Sequence, residues 1–280
     1  MPHSARVWNH LLGGKDTYPA DCEAAEQLAW LWPGIIDLAR GGRDFTHRVV
    51  QHLADAGVRQ FLDIGCGLPT VGSTHEIAQN SAPDARVVYL DNDPLVLAHA
   101  RALLACDPPG SVGYIQADLA SPQELVTAAR QELDFTRPIA ILLMGVLHHI
   151  ANHPTSRHPD DDHDAGHDDA LAQAIVHDLI CALPPRSYVA LWDMTAGADP
   201  ALDEAVQRHN QGGAAPWHLR TVPQLTRLLR GLQIQAPGVV QLNHWRPDSL
   251  DPNPAPLVGG WGGVGHKPQA ASRAAKAGPA

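Results

Sequence analysis

Lysine is nearly absent from this chain. Its 20 basic residues are 17 Arg and 3 Lys, set against 30 acidic ones, for a formal net charge of -10 over 280 residues. So acidic a chain has no general attraction for a nucleic acid backbone, and none is expected as a partner. Cysteine is scarce too. Cys22, Cys66, Cys106 and Cys181 stand far apart with no CxxC pair, which removes a disulfide framework or structural zinc as the basis of the fold. The longest apolar run, Pro138 to Leu147, is about half of the roughly 20 residues that span a bilayer, so no membrane segment is expected. The opening MPHSARVWNHLL has no cationic stretch leading into a long apolar one, so no secretory signal is visible and a cytoplasmic location is expected. What remains is ordinary for a globular protein: 44% apolar and 18% charged residues, enough for one α/β domain with additions or for two small ones.

Strand and helix patterns alternate through the middle of the chain. Strands are predicted at Val58–Ile64, Arg86–Asp91, Val112–Ala117, Ile139–Met144 and Ser187–Met194, with helices at Thr70–Ser81, Pro94–Ala105, Pro122–Glu132 and Asp169–Leu183. IAILLM is an unbroken apolar run, as a central parallel strand covered on both faces requires. The alternation predicts an α/β, doubly wound, mostly parallel sheet. Leu232–Trp245 reads as a closing hairpin around Pro237-Gly238. Residues 1–57 read as a helical amino-terminal cap or lid, 58–250 as the main domain, and the Pro-, Gly- and Ala-rich 251–280 as a flexible tail. The spacing gives no oligomeric state.

The first strand runs into Asp63-Ile64-Gly65-Cys66-Gly67-Leu68-Pro69-Thr70. Glycines there let a ligand approach the backbone, and the ligand crevice of an open α/β sheet lies at the carboxyl ends of its strands. A GxG pair alone can be a tight turn and nothing more. Two further strands, however, end in acid, at Asp91-Asn92-Asp93 and at Asp118-Leu119. Asp91 lies 26 residues after Gly65, a spacing suited to a carboxylate accepting from ribose hydroxyls, and Asp118 can accept from an adenine amino group. An NAD site needs a third glycine where Thr70 stands. A nucleoside without pyrophosphate fits better, and S-adenosylmethionine is one.

RVWNHLLGGKDTYPAD (6–21), RQFLDIGCGLPTVGSTHEIAQ (59–79), RVVYLDNDPLVLAHARALL (86–104) and LLMGVLHHI (142–150) together resemble one family, and PPRSYVALWDMT (184–195) and PGVVQLNHWRPD (237–248) are also similar. It is the S-adenosylmethionine-dependent methyltransferase-like family long catalogued as a domain of unknown function. The resemblance implies a seven-stranded, Rossmann-like class I methyltransferase fold and S-adenosylmethionine as cofactor. It implies cofactor contacts from Gly65, Gly67, Asp91 and Asp118, with Cys66, Pro69, Thr70, Asn92, Leu119, Met144 and Gly145 lining the same crevice. A small-molecule acceptor is the expected substrate. A non-catalytic protein that senses S-adenosylmethionine or S-adenosylhomocysteine, or serves as an accessory subunit, is the alternative.

Other candidates are weaker. Arg6, Trp8, Leu11 and Leu12 can share one side of a short helix, followed by Lys15, Tyr18 and Asp21 in a loop that either packs passively or folds over the crevice as a lid. His148 and His149 follow the fourth strand and are candidate bases, although methyl transfer rests mainly on alignment. Asp193, Trp245 and Arg246 are candidate walls of an acceptor pocket. The His- and Asp-rich stretch 153–169 lacks an ordered ligand spacing, so no metal site is expected.

Overall fold

A computed structural model describes residues 2–69, 72–104, 111–150, 169–211, 215–247 and 259–269. The chain opens with α1 (Ser4–Leu11), α2 (Pro19–Leu31) and α3 (Gly34–Asp55). It then alternates β1 (Gln60–Ile64), α4 (Thr74–Ser81), β2 (Arg86–Asp91), α5 (Pro94–Leu103), β3 (Val112–Gln116), α6 (Pro122–Glu132) and β4 (Ala140–Met144). A short 3-10 turn, Leu147–His149, precedes α7 (Ala170–Ala182), β5 (Tyr188–Met194), α8 (Pro200–Gln211) and α9 (Val222–Arg227). Two-residue strands β6 (Gln233–Ile234) and β7 (Val240–Gln241) and a longer β8 (Gly260–His266) finish the sheet.

The strand order is β3-β2-β1-β4-β5-β8-β6, with β7 also on β8. Strands β1 to β5 pair in parallel, and β8 runs antiparallel to β5. Consecutive side chains of a strand point to opposite faces, and both faces are covered. Phe61, Val87, Tyr89 and Leu142 meet α3 and α4 residues such as Phe45, Val49 and Ile77. Leu62, Val88, Leu90 and Ile141 meet Leu125, Ala129, Val176 and Leu179 of α6 and α7. The order reverses between β1 and β4, and at such a switch point the flanking loops part and leave a crevice.

Several local expectations change. Helix α4 begins at Thr74 instead of Thr70, because Ser73 and Glu76 form a reciprocal capping box there. Strands β6 and β7 do not pair with each other as a hairpin; both lie along the outer edge of β8. Most of all, residues 260–266 of the expected flexible tail form a strand inside the sheet, with seven residues of β5 in register against it. GWGGVGH carries no apolar alternation, yet its glycines suit the place. A Cβ on Gly262 would lie 2.7 Å from the Trp192 Cβ, and one on Gly265 would lie 2.7 Å from the Leu232 side chain. Bulky neighbours leave room for backbone alone, so the composition that suggests a tail is instead what close packing demands. The 1–57 segment is not a single cap either. Phe45, Val49 and Leu53 of α3 belong to the central core, and α1 is the part that stands over the strand ends, with α2 packed on it.

Candidate cofactor and acceptor site

A cavity of about 530 Å³ runs along the carboxyl ends of the parallel strands. Gly65, Cys66, Gly67, Asp91, Asn92, Asp118, Leu119, Met144 and Gly145 all line it, joined by His149. The turn after β1 carries Gly65 at φ 68° and Gly67 at φ 64°, backbone that other residues adopt at a cost. Gly65 has a second reason to lack a side chain, since a Cβ there would run into Val146; above Gly67 nothing lies within 4 Å, which leaves open space.

Asp91 is fixed at the tip of β2. One carboxylate oxygen accepts the Gly67 N–H at 3.1 Å and the other the Asp93 N–H at 3.0 Å. Burial raises its pKa above the ordinary carboxylate value of 3.8, against the pull of those two amides. The first oxygen also lies 4.0 Å from the Cys66 sulfur, and the one facing Asp93 keeps a further lone pair for a ligand hydroxyl. Asp118 is exposed and held by the Ala120 N–H at 2.9 Å. Burial pushes the Cys66 thiol up, with the Asp63 and Asp91 carboxylates adding to it, so the sulfur lines the site as a neutral group.

The amino-terminal helix forms the opposite wall. Ser4, Trp8 and Leu12, one helical stripe, face the cavity. Four side chains hold α1 in place. The Arg6 guanidinium sits 2.7 Å from Asp21 and 3.8 Å from Asp93, and His3 Nε2 lies 3.4 Å from Asp93. Asp21 also accepts the His3 and Tyr18 N–H groups. Burial works against its ionisation, but Arg6 and the two amides outweigh it and hold the carboxyl below its ordinary value. Arg6 therefore turns away from the Trp8 stripe with which the sequence grouped it.

The two histidines separate. His149 lines the cavity, and its Nε2 lies 2.9 Å from the Ser4 hydroxyl. Burial, with His148 and His209 nearby, lowers its pKa to about 2, so the imidazole is neutral and a feeble proton acceptor. His148 is fully buried and does not reach the cavity. Asp193 accepts the His148 backbone N–H at 2.8 Å and faces its Nδ1 at 2.7 Å, which makes Nδ1 the protonated nitrogen. His148 Nε2 is buried without a partner, among the rings of Trp8, Trp217 and His149.

The remaining candidates fall elsewhere. Pro69 lines a separate recess of about 20 Å³, Thr70 lies outside the described residues, and so do residues 153–168 of the His- and Asp-rich stretch. Lys15 and Tyr18 are exposed and away from the cavity; Tyr18 instead carries the Arg6 guanidinium on its ring face. Asp21 and Asp193 are structural partners of Arg6 and His148 and do not form an acceptor wall. Trp245 is buried edge-on against Phe45, and the exposed Arg246 lies beside His52, because β7 and the turn after it pack on α3. No group of three or more His, Cys, Asp or Glu side chains able to hold a metal ion occurs among the described residues.

Three features escaped the sequence. Trp192, from β5, reaches the cavity beneath Gly145; its alternation along the strand marks it as buried but not as a wall. Arg43 reaches the cavity from α3 and donates to the Gly72 carbonyl at 3.0 Å. Arg220, buried, donates to the carbonyls of Leu147 at 2.6 Å and Ile150 at 2.9 Å and to Asp169 at 2.5 Å. It thereby clamps both ends of the turn that carries His148 and His149. No local motif announces an arginine whose three partners lie 51 to 73 residues away.

A parallel sheet with this switch point, a glycine turn after the first strand and an acid at the tip of the second define a class I methyltransferase. The chain belongs to the S-adenosyl methyltransferase family, whose model matches residues 1–268. A protein of Thermobifida fusca YX assigned to the methyltransferases is 36% identical, with 95% of each chain covered and a TM-score of 0.83. A DUF574 family protein of Streptomyces avermitilis MA-4680 is 39% identical over 95% of this chain and 98% of that one, also with a TM-score of 0.83. An O-methyltransferase family protein of Burkholderia thailandensis shares the fold at 16% identity and a TM-score of 0.55, over 96% of this chain and 65% of that one. No curated protein matches the chain. The family's cofactor is S-adenosylmethionine. No helix among the described residues is long and apolar enough to cross a membrane.

Proposed function

We propose that this protein transfers a methyl group from S-adenosylmethionine to a small-molecule acceptor held in the same cavity. The observation that carries this reading is the cavity itself: Asp91, oriented by the Gly67 and Asp93 amides, stands at one end, and a wall built from α1, Trp192 and His149 stands at the other. The open space over Gly67 and the free lone pair of Asp91 suit a ribose, while Asp118 and Leu119 suit an adenine edge and face. Met144 and Gly145, at the tip of β4, take the methionine end. When bound, the cofactor would supply an electrophilic methyl carbon on a positively charged sulfur.

The chain's own contribution is alignment and exclusion of water, which can be worth roughly 7–11 kcal/mol where two reactants are well oriented. His149 holds the wall through Ser4 and takes up no proton at neutral pH. His148, turned away from the cavity and bonded to Asp193, positions the turn.

Calorimetric titration with S-adenosylmethionine and S-adenosylhomocysteine tests the site. Both should bind at micromolar concentrations, and Asp91→Ala should lose both. Absence of binding to the folded wild-type protein would overturn the reading.

A further inference from the structure

The two ends of the cavity differ in chemistry. Asp91 and Asp118 mark the end over β2 and β3, and the guanidinium of Arg43 is engaged beside the glycine turn. Over β4 and β5 the wall is formed by Trp8, Leu12, Ile150, Trp192 and Pro216, together with the neutral His149. Among the described residues no charged side chain lines this second end. Its aromatic groups are not loosely placed. Trp8 and Trp192 meet edge to face at 6.3 Å between centroids, and Trp217 stacks behind Trp8 at 6.3 Å. Trp217 is in turn backed by His209 at 4.2 Å. The rings are thus set by one another before any ligand arrives, and α1 is tied down by the Arg6 and His3 contacts to Asp21 and Asp93.

We infer that the acceptor is an uncharged, planar aromatic molecule, held against Trp8 and Trp192. This rests on the methyltransferase reading above and names the substrate class of the same site. A charged acceptor would meet no counter-ion among the described residues of this wall, which is costly in an apolar setting. An aliphatic acceptor would leave the preset faces and edges of two indoles unused, whereas a flat ring gains offset or edge-to-face contacts on them. A quaternary or primary ammonium could gain from the indole faces, but no carboxylate among the described residues lies at this end to complete such a cage.

The test measures binding to the full chain saturated with S-adenosylhomocysteine, by calorimetry and by quenching of tryptophan fluorescence. The probes are 2-naphthol and quinoline, their carboxylated counterparts, cyclohexanol, and choline. The neutral aromatics should bind at least about tenfold more tightly than the carboxylates, cyclohexanol or choline, the order of effect that stacked rings and an unpaired buried charge give. Trp8→Ala should lose about tenfold for the neutral aromatics and leave S-adenosylhomocysteine affinity within about threefold, and Trp8→Phe should restore most of the loss. Trp8 belongs to α1, so circular dichroism and the retained nucleoside affinity show that the variant is folded. Tighter binding of a carboxylate, of cyclohexanol or of choline overturns the inference, as does no binding of any neutral aromatic to a protein that binds S-adenosylhomocysteine. Failure of S-adenosylhomocysteine itself to bind sinks the methyltransferase reading, and this inference with it, and is seen in the first titration.

Discussion

Replacing Arg220 with Met tests the clamp under the cavity most directly. Arg220 is 5% exposed and Asp169 is 2% exposed, and one guanidinium serves Asp169 and two backbone carbonyls at once. The second Asp169 oxygen already lacks a partner, so the variant leaves an entire carboxylate buried without a donor. Breaking one member of such a pair costs about 3–5 kcal/mol, because the survivor keeps its desolvation penalty. For a domain of this size that is a fall of about 6–20 °C in Tm. Differential scanning calorimetry and urea titration measure it. The double variant Arg220→Met, Asp169→Leu should recover much of the loss, since an apolar pair removes the stranded charge together with the lost bonds. S-adenosylhomocysteine affinity should weaken in the single variant as the Leu147–His149 turn loosens. A single variant within about 1 kcal/mol of wild type, or a double variant no better than the single, would refute the assignment of Arg220 as a buried clamp.

Three further outcomes are expected. Asp91→Asn should weaken S-adenosylmethionine binding about ten- to a hundredfold, the worth of hydrogen bonds to a charged acceptor. Because burial raises the Asp91 pKa, wild-type affinity should be full at neutral pH and decline as pH falls through that raised value, before an exposed aspartate would protonate; calorimetry across pH shows the onset. Gly262→Ala, which would set a Cβ 2.7 Å from the Trp192 Cβ and 2.8 Å from the Leu191 carbonyl oxygen, should cost about 1–3 kcal/mol in urea unfolding. The His149 imidazole, with a pKa near 2, should show the nitrogen chemical shifts of a neutral ring throughout pH 5–8, and titration within that range would mean that water reaches the wall.

The parallel half of the sheet is legible in the sequence because most of its strands are compact apolar runs closed by glycine or acid. The nucleoside end is legible for the same reason: Gly65, Gly67, Asp91 and Asp118 sit where strands stop, and strand ends are where ligands go in this architecture. The acceptor end resists such reading. It is assembled from Trp8, Trp192, His149 and Pro216, which lie on four separate segments, and it is braced by Arg220 through contacts of long sequence separation. His148 and His149 are adjacent in sequence, yet a 3-10 turn sends one to the cavity and the other to Asp193. Tyr18 attracts notice as a polar aromatic near a glycine pair, but the neighbouring helix brings Trp8 to the crevice in its place.

The position of β8 has a consequence for how the molecule is made. It follows all the other described strands in the chain, yet it fills the gap between β5 and the short β6 and β7, whose described pairings are with β8. Until residue 266 has left the ribosome, β5 presents a seven-residue free edge, and β6 and β7 lack the strand with which they pair. A nascent or prematurely terminated chain therefore displays an open strand of the kind that recruits chaperones or other nascent chains. The glycine-rich strand thus closes the sheet late: the β5 edge stays open until residues 260–266 are in place.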